Sequence, residues 1–169
     1  MTELRPIRVE DLDVLSAWRS DPEAGGQFQW FGYGSSRGFR EKVTDDDVFS
    51  DDYGALAVID GDTLCGDVSW HRQQTGPTKD SWCWNIGILL VPSQRGKGHG
   101  HRAQRLLAEY LFAHSTCERV EADTDIENVA EQKSLEKAGF TREGVLRRRQ
   151  WRQGAWRDVV IYSKLRGEE

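Results

Sequence analysis

Six residues, Arg95-Gly96-Lys97-Gly98-His99-Gly100, are the part of this chain best suited to chemistry. Alternating glycines let main-chain N–H groups come close to an anion, because glycine accepts backbone angles that other residues avoid. An apolar stripe follows at once. Ala103, Leu106, Leu107, Tyr110 and Leu111 recur at i, i+3, i+4, i+7 and i+8, which predicts an amphipathic helix. The free N–H groups and the dipole at its start favour a bound anion, and Arg95 and Lys97 add positive charge. The combination is a cradle for a pyrophosphate. Spacing alone leaves the ligand open. No Gly-Lys-Ser/Thr follows four spacer residues, so this is not a Walker A loop. Gly98-x-Gly100-x-x-Ala103 matches a dinucleotide fingerprint, with Glu121 and Asp123 about twenty residues on. Against that match, Pro92 to Arg95 separates the loop from the preceding strand, and the chain does not open with a βαβ unit.

The elements that must position the loop are legible on both sides. Ser81 to Val91 alternates Trp82, Trp84, Ile86 and Ile88 with Cys83, Asn85, Gly87 and Leu89, a long strand. Ala55 to Ile59 and Thr63 to His71 read as a hairpin about Asp60-Gly61-Asp62. Leu4 to Arg8 reads as a first strand and Asp11 to Ser20 as a helix with an acidic start. Gly25 to Gly38 reads as a loop or broken helix, a short helix is expected over Phe39 to Val43, and Asp45 to Asp47 reads as a solvated turn. Arg119 to Thr124 is a strand, Asn128 to Ala138 a helix ending at Gly139, and Thr141 to Trp151 with Ala155 to Leu165 a closing hairpin. A meander followed by strand–helix–strand–helix predicts an α+β (mixed α/β) fold with a mixed sheet and helices on both faces.

The chain has 169 residues and no internal repeat or linker, so one domain over residues 1–169 is expected. Its longest apolar run, Ile88 to Val91, is far short of the roughly 20 residues that span a bilayer, and the first five residues lack a signal-peptide core. A cytoplasmic protein with no membrane partner is expected. A net charge of −5 weighs against a nucleic-acid partner, although Arg147-Arg148-Arg149 beside Trp151 and Arg152 resembles a nucleic-acid patch. Cys65, Cys83 and Cys117 lie far apart with no metal-ligand spacing, which predicts buried reduced thiols and no metal.

Val91-Pro92-Ser93-Gln94-Arg95-Gly96-Lys97-Gly98-His99-Gly100 resembles the acetyl-CoA signature, Arg-x-x-Gly-x-Gly, of the GCN5-related N-acetyltransferases. Asp125-Ile126-Glu127-Asn128-Val129-Ala130, then Glu136 to Phe140, resembles the later motif of their ribosomal-protein-alanine-acetyltransferase-like branch. Gly154 to Tyr162 is also similar to that branch. The resemblance covers nearly the whole chain. It implies a mostly antiparallel sheet splayed at an acetyl-CoA site and an N-acetyltransferase that moves acetyl from acetyl-CoA to a primary amine by direct attack. Leu89, Leu90 and Val91 would pair with pantetheine as a surrogate strand, and Arg95, Gly96, Lys97, Gly98, His99, Gly100 and His101 would hold the pyrophosphate. Asn128 would bond the pantetheine arm. It also reads, with Glu131, as a helix capping box.

The acid–base residues do not carry over. Many members of the family have Tyr seven residues after the Asn, and this chain has Leu135. The branch often has Ser three residues after it, where Glu131 stands, and a Glu in the strand before the loop is replaced by Asn85. The substitute catalytic candidates are Glu131, Ser134 and Asp67, with Glu121 behind them, each also readable as a structural residue, and a water relay is a further route. Seven tryptophans allow an aromatic-walled acceptor pocket, and Trp30 and Trp84 are the candidates for it. The acceptor would be a small-molecule or peptide amine, and the chain a monomer or homodimer. A non-catalytic acyl-CoA-binding or sensor module is the alternative on the same fold.

Overall fold

The computed structural model describes residues 1–34, 41 and 49–168. Seven strands form one sheet in the order β1-β2-β3-β4-β5-β7-β6. They are β1 (Thr2–Pro6), β2 (Tyr53–Asp60), β3 (Thr63–Gln74), β4 (Trp82–Leu90), β5 (Arg119–Asp125), β6 (Thr141–Arg152) and β7 (Ala155–Leu165). Every pairing is antiparallel except β4 with β5. The helices are α1 (Leu12–Ser20), α2 (Pro22–Gln29), α3 (His99–His114) and α4 (Val129–Lys137). The short helix expected over Phe39 to Val43 falls, apart from position 41, outside the described residues, as does the Asp45 to Asp47 turn.

The alternating strands bury both faces. On β2, Leu56 and Val58 face α3 and α4, while Ala55 and Ala57 face α1 through Leu12 and Leu15. The apolar stripe of α3 buries Ala103, Leu107 and Leu111. Tyr110, expected on the same stripe, is exposed and lies tilted over Trp70 at 5.8 Å. Truncating a fully buried leucine such as Leu107 would cost about 2–5 kcal/mol. Gly25 to Gly38 contains the broken helix. In α2, Gly26 sits at φ 65° and ψ −170°, outside helical space, and the chain turns there before Phe28 and Gln29.

Cys65, Cys83 and Cys117 are free and buried. Burial pushes each thiol up, Cys83 to about 12, with the Glu121 carboxylate adding to the effect. The thiolate is the reactive form. A thiol-specific reagent at about pH 8 is therefore expected to label none of the three in the native protein and all of them in denaturant. Rapid native labelling at any of them would contradict this packing.

Candidate cofactor and acceptor site

The site begins where the sheet stops pairing. β4 and β5 are joined only through Trp84↔Val120, Asn85↔Glu121 and Ile86↔Ala122, yet β4 continues to Leu90 and β5 to Asp125. Beyond Ile86 the two strands part. Main-chain directions alternate along a strand, and here the carbonyls of Ile88 and Leu90 face the gap. Ile88 O accepts from Gln29 Nε2 at 2.5 Å and Leu90 O from Arg95 Nε at 2.9 Å. Leu89 sits opposite Asp67 of β3, and the Val91 N–H donates to Cys65 O at 3.1 Å. Of Leu89, Leu90 and Val91, expected to pair with pantetheine, the Leu90 carbonyl is the one turned to the gap. Ile88 and Leu90 offer their main chain to the gap, whereas Leu89 and Val91 spend theirs on β3.

The glycine loop closes one end of the gap. Gly96 and Gly98 hold φ 75° and 84°, angles that disfavour a side chain. Gly100 is needed for a different reason: a Cβ there would lie 2.9 Å from Ser134 Oγ. Helix α3 starts from Gly98 with no side-chain cap and no acidic residue in its first turn. Its leading N–H groups are thus left to whatever enters the cleft. The Arg95 guanidinium turns away from the loop, to Leu90 O and to Ala24 O of α2, and burial pushes its pKa down. Lys97 is exposed and bonds Gln94 at 3.1 Å. His101 lines the cleft, its pKa lowered by burial and then by Arg102. The His99 ring is instead buried against Thr2 Oγ1 at 2.9 Å, so only its main chain belongs to the loop.

Helix α4 forms the opposite wall. Asn128 caps it, accepting from the Glu131 N–H at 3.3 Å and donating to Thr124 Oγ1 at 3.0 Å. The capping box is only half made, because the Glu131 carboxylate crosses to α3 and accepts from Gln104 Nε2. Ser134 donates to Gln104 Oε1 at 2.8 Å, so one buried glutamine ties both candidates to α3. Burial pushes the Glu131 carboxyl up. Lys133 and Lys137 line the same wall. Sequence reading missed them, although they share the i, i+4 face that carries Ala130 and Ser134.

The remaining candidates are placed apart. Asp67 is buried on the α1 face of the sheet, with Arg19 Nη2 on its Oδ2 at 2.6 Å, so it does not join Glu131 and Ser134 in the cleft. Glu121 is held by Arg119 at 2.6 Å and Gln73 at 3.3 Å. Neither tryptophan expected in an aromatic acceptor pocket lines the cleft among the described residues. Trp84 is a core residue, 6% exposed, stacked edge-on with Trp82 at 5.1 Å, and its indole N–H donates to Ser115. Trp30 is half-buried against Tyr33. Among the described residues, the phenyl ring that lines the cleft is that of Phe28.

A buried ion pair holds Phe28 in place. Arg152 Nη2 meets Asp125 Oδ2 at 2.6 Å, both residues 3% exposed, and the guanidinium lies 5.6 Å over the Phe28 ring. The walls enclose a cleft of about 540 Å³, within the usual range for a small-molecule site. It combines unpaired strand edge, bared helix N–H groups and cationic side chains, which fits a long ligand with an amide-rich arm and a diphosphate.

That architecture defines an acyl-CoA-dependent acyltransferase. The Acetyltransferase (GNAT) domain family matches residues 2–141. The Bacillus subtilis (strain 168) protein named "Probable N-acetyltransferase YjcK" is 28% identical over 177 residues, covering 98% of this chain and 94% of its own. Spermidine N-acetyltransferase from Vibrio cholerae, solved with CoA and spermine, has the same fold, with TM-score 0.82, 18% identity and coverage of 99% of this chain and 96% of that one. Mycobacterium smegmatis RimJ, solved with CoA-disulfide, has TM-score 0.78, 20% identity and coverage of 99% and 83%. The chain belongs to the GNAT acetyltransferase family, and acetyl-CoA is its co-substrate. Among the described residues no helix is long and apolar enough to cross a membrane.

Two stability outcomes follow from the walls. Arg152→Ala strands Asp125 as a buried, unpaired charge, and urea unfolding is expected to show a loss of about 3–5 kcal/mol; a loss under 1 kcal/mol would contradict the burial of the pair. Glu131 works in the other sense. Its folded pKa lies above the ordinary 4.5, so the folded chain keeps a proton that the unfolded chain has released. Its contribution is most favourable below that ordinary value and falls as pH rises through the folded one. Glu131→Gln keeps the bond from Gln104 and should raise the melting temperature more at about pH 8 than at about pH 4. Equal shifts at both ends would contradict the assignment.

Proposed function

We propose that this chain acetylates a primary amine by direct attack on acetyl-CoA. The observation that carries the reading is the parting of β4 and β5 beyond Ile86 beside the uncapped start of α3. On this reading the N–H groups of residues 96–101 hold the diphosphate, with Lys133 and Lys137 adding charge from α4. The main chain of Ile88 and Leu90 holds the pantetheine arm, and Asn128 meets it from the far wall. Acetyl-CoA supplies an acetyl thioester there. On the same reading a main-chain N–H on the gap side of β4 would take charge developing on the thioester oxygen.

The acceptor must reach the gap as a neutral amine, because an ammonium has no lone pair. A lysine-like amine carries its proton up to about pH 10. Glu131 is the candidate to receive that proton. Gln104 holds its Oε1, its carboxyl is raised by burial, and Oε2 is where the proton would rest. Ser134, fixed by the same Gln104, holds the wall against Gly100. Asp67, on the other face, would serve the acceptor only through its pairing with Arg19. The acceptor class is a small-molecule or peptide amine. The Vibrio cholerae relative in fold was solved with spermine, a small polyamine.

Release of free CoA thiol across a panel of amines and short peptides tests the reading. Saturable turnover with at least one primary amine is expected, with a rate that rises as the amine deprotonates. Gly98→Glu should raise the acetyl-CoA Kd at least a hundred-fold by filling and charging the cradle, with folding weakened by only about 1–2 kcal/mol for the left-handed backbone. Tight acetyl-CoA binding with no turnover on any amine would instead favour a sensor module.

A further inference from the structure

Three consecutive arginines stand on β6 at a place where the sheet has no use for them. The register with β7 runs Leu146↔Val159 and resumes at Gln150↔Arg157. Arg147, Arg148 and Arg149 therefore bulge out against the single residue Asp158. Arg148 is held at φ 49°, in left-handed space, and its main-chain N–H donates to Asp158 Oδ1 at 2.8 Å. One oxygen of the nearby carboxylate is thus taken by backbone. All three side chains are exposed, and among the described residues none of the three guanidiniums has a hydrogen bond or an ion pair. Several other arginines of this chain do meet carboxylates: Arg5 pairs with Asp11, Arg119 with Glu143 and Arg152 with Asp125. The bulge, Val145, Leu146 and Asp158 line a shallow cavity of about 790 Å³.

The bulge is tied through Asp158 to the end of β5, beside the Asn128 wall of the cleft. Asp158 O accepts from the Ile126 N–H at 3.1 Å, and Asn128, two residues on, lines the cleft. From β6 across β7 to the end of β5 is two strand spacings, about 10 Å. An extended peptide covers that distance in about three residues.

We propose that the Arg147–Arg149 bulge is an acceptor subsite for carboxylates, and that the acceptor is a peptide with a free N-terminal amine followed within about three to six residues by acidic side chains. This rests on the acetyltransferase reading and narrows its acceptor. The chain as a whole is acidic, at −5, and the bulge sets three guanidiniums without carboxylate partners side by side on that background. Guanidinium matches carboxylate geometry with two parallel hydrogen bonds. The same three charges disfavour a polyamine, so the bulge selects against one acceptor class while attracting the other.

The test uses the full chain, saturating acetyl-CoA and three synthetic peptides that share a Ser-Gly-Gly start and continue with Asp-Glu-Asp, Asn-Gln-Asn or Lys-Lys-Lys. Wild type is compared with Arg147→Glu/Arg149→Glu, both at exposed positions, with thermal melts to confirm folding. The acidic peptide is expected to exceed the neutral one by about ten-fold or more in kcat/KM, mainly through KM, and to lose that advantage in high salt. The double variant should abolish the preference and leave acetyl-CoA affinity, and turnover of a small uncharged-tail amine, unchanged. Equal kcat/KM for acidic and neutral peptides would overturn the proposal, as would preference for the lysine peptide or spermine, or a preference that survives in the variant. A variant that only aggregates more, with KM unchanged, would make the arginines guards of an edge strand. Arginine-dependent binding of an RNA oligonucleotide without peptide preference would assign the bulge to nucleic acid. Acetyl-CoA binding with turnover of simple amines but no acidic preference would remove this proposal alone, and failure to bind acetyl-CoA would remove the reading beneath it as well.

Discussion

Two parallel strands that hydrogen-bond for three residue pairs and then separate are the constraint on which this molecule is built. An open strand edge inside a fold carries unpaired main-chain groups, and these are costly unless something meets them. In this chain the edge is met provisionally by side chains: Gln29 on Ile88 O and Arg95 on Leu90 O. Both come from neighbouring elements that also border the cleft. A ligand arm with amides of its own would replace such contacts with the same chemistry.

The rest of the fold keeps the gap open. On one side α3 presents its start without a cap, and Gly100 lets Ser134 of α4 come within contact. The Gln104 amide then ties Glu131 and Ser134 to α3, so the two helices that flank the gap are joined by hydrogen bonds rather than by apolar packing alone. On the other side the Arg152–Asp125 pair fixes the end of β5 to the β6–β7 hairpin and holds Phe28 of α2 over the cleft. A buried pair of this kind is a poor source of net stability. Its value here is positional, since it joins three segments far apart in sequence.

The sequence made some of this plain because backbone geometry restricts residue type. Positive φ at Gly96 and Gly98, and the close approach at Gly100, leave a pattern that a reader of the sequence can recognise. Period-two strands and the apolar stripe of α3 were legible for a similar reason, since each follows from which side is buried. The parting of β4 from β5 entered only through family resemblance, because pairing between distant strands leaves no local signal. Which tryptophan is core was also hidden. Trp84 and Ile86 alternate just as wall residues of a pocket would, and only the position of α3 decides that their face is the buried one. Asp67 and Glu131 illustrate the same limit. Both are acids on regular elements, yet one meets Arg19 beneath α1 and the other Gln104 beside the cleft. Arg147 to Arg149 resemble a nucleic-acid patch in the sequence, but that they stand on a bulge depends on register, which a single strand does not reveal.

Hydrogen–deuterium exchange of main-chain amides, with and without acetyl-CoA, bears most directly on the parted strands. Protection on binding is predicted at Ile88 and Leu90 and across residues 96–101, with no change along the paired stretch from Trp84 to Ile86. Binding that leaves the amides of 88, 90 and 96–101 exchanging as before would contradict the account at its root.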